Sequence, residues 1–228
     1  MNYKKETHME LIDMMEKIVK FKVAESTVKE GITAPEAFLK YGKKMLTLSE
    51  AYPLFGNEEK WKQNKGILVE GHSVWTSTFI GFSKKPLCET IRKDSDGYFL
   101  KSSSYGISEK LYLTDDFFSK NENKSGIVIV EKGVSIDKLG DNNYAYRVSD
   151  ANDLRLISVH SENWTNTSNH PSLFGSIENL RVYLKLPDAD VKVGFATAGG
   201  YIYYAGVRTI VFVPDLSYSH HRVLIRDE

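Results

Sequence analysis

Leu180-Arg181-Val182-Tyr183-Leu184-Lys185-Leu186 opens the stretch on which the reading of the fold turns. Leucine or valine stands at every even position, and Arg181, Tyr183 and Lys185 fall between them, the period-two pattern of a half-buried strand. Pro187-Asp188-Ala189-Asp190 breaks the pattern, and Val191, Val193 and Phe195 resume it. Gly199-Gly200 supplies the positive φ of a tight hairpin. Residues 201–204 read as the next strand, turned by Ala205-Gly206. Residues 207–213 are apolar on both faces except at Arg208 and Thr209, which predicts a central strand covered on both sides. Pro214, with no N–H to give a ladder, ends it. Residues 222–226 add a last strand, so 180–226 is expected to be an antiparallel meander.

Upstream, the pattern is first helical. Thr7-His8-Met9-Glu10 is a capping-box sequence, in which hydroxyl and carboxylate satisfy each other's backbone donors. Leu11, Ile12, Met15, Ile18 and Val19 follow at helical spacing and predict a helix over 8–24. Thr33-Ala34-Pro35-Glu36 is a second box, with proline in the tolerated first turn. Its helix carries Phe38, Leu39 and Tyr41 and is capped at Gly42. A third helical piece over 43–52 is expected to stop before Pro53. From Gly66 onward the β-branched and aromatic residues predict strands at 67–69, 74–82, 98–100, 110–113, 127–130, 144–148 and 154–159. Asp94-Ser95-Asp96-Gly97 reads as a turn, Ser102-Ser103-Ser104 as a loop, 138–143 as a turn, and Asp115 as a helix start. Helices first and strands later predict an α+β fold: N-terminal helices packed on a mainly antiparallel β-sheet with a C-terminal meander. The expected organisation is a helical region 1–65 and a mainly antiparallel β domain 66–228, forming one compact unit.

The composition narrows the partners. The 228 residues carry 30 basic and 30 acidic side chains, formal net charge +0. No surplus of cations is present to release counterions from a nucleic acid or an acidic membrane. Cys88 is the single cysteine, so no internal disulfide forms. No apolar run reaches the roughly 18–20 residues of a membrane span. The first 20 residues are amphipathic and carry acids, unlike a signal peptide. The expected location is therefore the cytoplasm or the interior of an assembled particle. Aromatics make up 12% of the chain, with 13 Tyr, a residue that offers an apolar body with a polar tip to contact surfaces.

Candidate chemistry is dispersed. His72, His160, His170, His220 and His221 show no ligand spacing, so no metal is expected. Ser73 beside His72 invites a nucleophile reading, but Gly71-His72-Ser73-Val74-Trp75 lacks the second glycine of a nucleophile elbow. In 75–80 simple alternation places Trp75, Ser77 and Phe79 on one face, and Thr76, Thr78 and Ile80 on the other. Ser135-Ile136-Asp137-Lys138 matches Ser-x-x-Lys without the other elements of that signature. Cys88 reads as a small core thiol. The aspartates at 94/96, 115/116 and 150/153 read as turn and cap chemistry. No phosphate loop or dinucleotide fingerprint occurs, and no cofactor is expected. The order of helices, a strand at 67–69, a Thr/Ser-bearing strand at 76–78 and a strand at 127–131 is loosely similar to that of the ADP-ribosyltransferases. The first of these strands has no arginine, and no Glu-x-Glu precedes a late strand.

The expectation is a non-enzymatic structural or interaction protein acting within a larger assembly, such as a viral or phage particle. Protein partners or self-association would run through Tyr201, Tyr203 and Tyr204, which alternate across a strand and so cannot all face the core. The alternative is a small enzyme, ADP-ribosyltransferase-like or hydrolytic, with a site assembled around His72, Ser73 and His160.

Overall fold

A ten-residue run, Val-Trp-Thr-Ser-Thr-Phe-Ile-Gly-Phe-Ser, forms β2 (Val74–Ser83), buried at every position. β-branched and aromatic side chains favour such a doubly covered strand. The computed structural model describes residues 20–24, 32–55, 74–104, 107–141, 143–149, 154–158, 191–198, 210–213 and 222–227.

Along one side β2 pairs antiparallel with β10 (Val191–Ala198), from Ser83↔Val191 to Val74↔Ala198, with a register shift between Phe195 and Thr197. Along the other side it has two different partners. Val74 and Trp75 run parallel to β12 (Arg222–Arg226), and residues from Phe79 to Ser83 run antiparallel to β6 (Gly126–Val130). β1 (Phe21–Val23) pairs with β12, β9 (Leu154–Ser158) with β6, and β11 (Ile210–Val213) with β10. The result is a seven-stranded sheet that forks at Thr76, Ser77 and Thr78.

The second sheet has five strands in the order β3 (Ile91–Asp94), β4 (Gly97–Ser104), β5 (Ile107–Leu113), β8 (Asn143–Val148), β7 (Val134–Gly140). β5 and β8 are parallel, and the other pairs are antiparallel. The β3–β4 turn is held by the Asp94 carboxylate, which accepts from the Asp96 N–H at 2.8 Å, and Gly97 sits at φ 123°. Only glycine adopts that φ without strain.

The two sheets face one another. Trp75, Phe79, Val128, Val130, Val193 and Phe195 from the forked sheet share one cluster with Leu100, Leu111, Leu113, Tyr144, Tyr146 and Val148. Phe79 stands 4.2 Å from Tyr146 and meets Phe195 edge-on at 5.3 Å, centroid to centroid. Gly81 lies where the layers come closest: a Cβ there would stand 3.2 Å from Leu111 Cδ2 and 3.4 Å from Leu100 Cδ1.

Four helices were found among the described residues: α1 (Ala34–Tyr41), α2 (Leu48–Phe55), α3 (Leu87–Thr90) and α4 (Asp115–Asn121). α1 begins at the expected box, with Thr33 donating both its N–H and its hydroxyl to Glu36 Oε2 at 3.1 and 2.7 Å.

The α+β expectation is overturned: the described residues are predominantly β, built as two mixed sheets, and are not a set of N-terminal helices laid on one antiparallel sheet. Of the predicted 8–24 helix, residues 8–19 lie outside the described residues, and Phe21, Lys22 and Val23 form a strand on β12. A three-residue strand has no stable existence alone; its backbone partners at 224–226 decide it. Ser102, Ser103 and Ser104 lie in β4 rather than in a loop, and β7 reaches Gly140, where a turn from 138 was expected. α2 continues past Pro53 to Phe55. The meander is also corrected. β10 and β11 are neighbours, but β12 lies across β2 and parallel to it. The central strand is β2, with β11 at the end of the described order. Alternation fixes which face a side chain takes; it does not fix which strand lies alongside.

Phe79→Ala is expected to lower the unfolding free energy by about 3–5 kcal/mol in urea denaturation, as for other large core truncations. Gly81→Val should cost about 1–3 kcal/mol through overpacking. An unchanged midpoint for both would contradict the close approach of the two sheets.

Candidate functional site

A sheet that forks leaves backbone groups needing partners at the fork, because a buried N–H or C=O without one is costly. The segment Met45-Leu46-Thr47-Leu48 supplies them. Ser77 N donates to Leu46 O at 2.9 Å, Leu46 N donates to Leu224 O at 3.1 Å, and Met45 bridges Ile225. Leu48 N donates to the Thr78 hydroxyl at 2.8 Å, and that hydroxyl donates to Glu131 Oε1 at 3.3 Å. Ser77 Oγ lies 3.5 Å from Met45 O.

The same segment starts α2. Thr47 N donates to Glu50 Oε2 at 2.8 Å, and Glu50 N donates to Thr47 Oγ1 at 3.3 Å, a reciprocal capping box. Glu50 has a second role: Arg226 Nε donates to its Oε1 at 3.1 Å, and Arg226 Nη2 to its Oε2. Arg226 Nη1 also donates to Lys43 O. One carboxylate thus caps a helix and anchors the end of β12, in the two-pronged geometry that suits guanidinium.

Around this plug lies a cleft of about 340 Å³, lined by Phe38, Gly42, Lys43, Thr47, Ser77, Glu131, Lys132, Gly133, Val134 and Arg226. Thr47 and Ser77 are buried, Glu131 is half-buried, and Lys43 and Lys132 are exposed. Phe38 and Val134 give an apolar wall. Because Glu50 matches Arg226, the remaining lining charges are Lys43 and Lys132 against Glu131.

Of the described residues singled out in the sequence, Ser77 lines this cleft, whereas Cys88, Ser135, Lys138 and the aspartates at 94, 96, 115 and 116 do not. His72, Ser73 and His160 lie outside the described residues, as do His170, His220, His221, Tyr201, Tyr203, Tyr204, Asp150 and Asp153. Cys88 is exposed on α3, its Sγ 3.3 Å from Asn123 Oδ1, not in the core. Ser135 to Lys138 fall on β7, where Asp137 accepts from Arg147 Nε at 2.9 Å. Asp94 accepts from the Tyr112 hydroxyl at 2.7 Å, which holds its carboxyl below the usual range. Asp115 and Asp116 open α4, with Thr114 as its N-cap, and Asp116 pairs with Lys120. Among the described residues no three His, Cys, Asp or Glu converge to hold a metal, and no helix is long and apolar enough to cross a membrane.

The cleft residues escaped the sequence reading because they come from six separate segments. Two signals were legible. Thr47-Leu48-Ser49-Glu50 spells a capping box, and the alternation that set Ser77 and Thr78 on opposite faces put a hydroxyl on each side of β2. Comparison with protein families, curated proteins and solved structures finds no match.

Glu50→Ala should lower stability by about 1.5–3 kcal/mol, since it strips a half-buried guanidinium of its partner and removes the box. Urea denaturation checks this; a change below about 0.5 kcal/mol would reduce the pair to an ordinary surface ion pair.

Proposed function

We propose that the chain is a ligand-binding protein whose site is the cleft at the sheet fork. One observation carries this reading: side chains from α1, the turn after it, the plug, β2, the loop after β6 and β12 converge on a cavity of about 340 Å³. That volume falls within the range of small-molecule sites, which pair an apolar wall with a few polar groups. The fitting ligand has an apolar or aromatic body for Phe38 and Val134, an anionic group for Lys43 and Lys132, and a hydroxyl for Glu131. Within the same cleft the alternative is chemistry of an ADP-ribosyltransferase-like or hydrolytic kind. It is favoured by the cavity, which is lined both by Ser77, two residues before the β2–β6 pairing starts at Phe79, and by Glu131, the residue after β6. Glu131 would then be the general base.

A nucleotide and aromatic-carboxylate panel, read by ligand-observed NMR, tests the site. Glu131→Gln and Lys132→Ala should each weaken the best binder at least about tenfold, roughly 1.4 kcal/mol, with little change in melting temperature. A binder that both variants leave untouched would place the site elsewhere. Turnover of a bound compound that Glu131→Gln abolishes would select the enzymatic alternative.

The second reading is the structural or interaction protein of a larger assembly. β7 favours it: the strand ends the order of its sheet among the described strands, and Leu139 on it is 48% exposed. An open strand edge beside an exposed leucine is a template for another chain. Light scattering should then show a species larger than the 25.9 kDa monomer, shifted to monomer by Leu139→Asp. A monomer at all concentrations, with no stable partner, rejects it.

A further inference from the structure

The interior of the five-stranded sheet holds an acid that no described residue neutralises. Ser102 on β4 is the cross-strand partner of Glu109 on β5, and Glu109 is the partner of Tyr144 on β8, with Tyr146 two residues on. Ser102, Glu109 and Tyr146 are 2%, 1% and 0% exposed. Among the described residues the Ser102 hydroxyl, both Glu109 carboxylate oxygens and the Tyr146 hydroxyl have no hydrogen-bond partner. An ionised carboxylate in such a place costs several kcal/mol even after relaxation.

The surroundings do not offset that cost. From β8, Tyr144 and Tyr146 are the titratable groups near Glu109. The charges acting on Tyr144 from α1 and from the turn after β7 are those of Glu36 and Asp141, both acids. From the opposite sheet, the Phe79 and Phe195 rings close on Tyr146. Lys110, next in sequence to Glu109, is turned to the other face, where it pairs with Asp94 at 3.3 Å and lies over the Phe99 ring.

We propose that Glu109 is a proton-holding switch of the core: the sheets close over the neutral acid, and release of its proton to solvent loosens the β4–β5–β8 layer from the sheet opposite. Burial raises the Glu109 carboxyl well above the usual glutamate value of 4.5. The unfolded chain gives up this proton near that usual value, whereas the folded chain keeps it to higher pH. The stability associated with the neutral acid is therefore whole below the unfolded value and is lost as pH rises to the folded one. Over that interval the folding equilibrium constant falls about tenfold per pH unit for this one proton.

The test is urea denaturation of the full chain across pH, for the wild type, Glu109→Gln and Tyr146→Phe. Glu109→Gln should remove the decline and be the more stable protein at the alkaline end. Tyr146→Phe should keep the decline, since the carboxyl titrates. An infrared carbonyl band of a protonated carboxylic acid, present in the folded wild type at a pH where a free glutamate has ionised and absent from Glu109→Gln, reads the same proton without reference to stability. Parallel pH profiles for wild type and Glu109→Gln, or a band lost at the pH where a free glutamate ionises, would overturn the proposal. So would a Glu109→Gln protein that is weaker by the same amount at every pH, because that marks an ionised, partnered carboxylate.

Discussion

The structure depends on the change of partners along β2. One strand cannot pair with β12 at Val74 and with β6 at Phe79 unless something satisfies the backbone between them. The plug at Met45 to Leu48 does so, with main-chain bonds to Ser77 and Leu224 and a bond from the Leu48 N–H to the Thr78 hydroxyl. The cleft follows from this arrangement. Where two strands diverge around a short insert, the pleated surface cannot close, and the side chains at the divergence face a hollow.

Charges tie together the elements that meet at the fork. Glu50 ties the start of α2 to the end of β12 through Arg226, so elements far apart in sequence are fixed to one another. Such a two-pronged contact sets position as well as energy. Glu131, Lys43 and Lys132 line the same cleft, so its wall carries both signs of charge beside the apolar Phe38 and Val134.

The layer opposite is built differently. Its outer face places Arg147 4.0 Å over the Tyr112 ring while bonding Asp96 and Asp137, so aromatic and charged groups satisfy each other there. Its inner face is apolar at its centre except for Ser102, Glu109 and the tyrosine hydroxyls, and carries Lys93 and Lys138 on its outer strands, β3 and β7. The contrast within a single strand, with Lys110 paired outside and Glu109 unpaired inside, shows how strictly the pleat separates the two environments.

The local signals in the sequence were sound where a short stretch decides its own structure. The Thr33–Glu36 box, the Asp94–Gly97 turn, the helix at Asp115 and the buried run in β6 all depend on neighbours within four residues. Reading failed where partners lie far away. Phe21 to Val23 carry a pattern compatible with helix and became a strand because 224–226 offered an edge. Arg222 to Arg226 read correctly as a strand, but its place across β2 is set by Met45, Trp75 and Glu50 together. Which residues alternate, which turn and which cap can be read from the order of the amino acids, because these are properties of the covalent chain and its nearest groups. The order of strands, the fork and the cleft arise on folding, because each depends on which distant backbone groups satisfy one another once water is excluded.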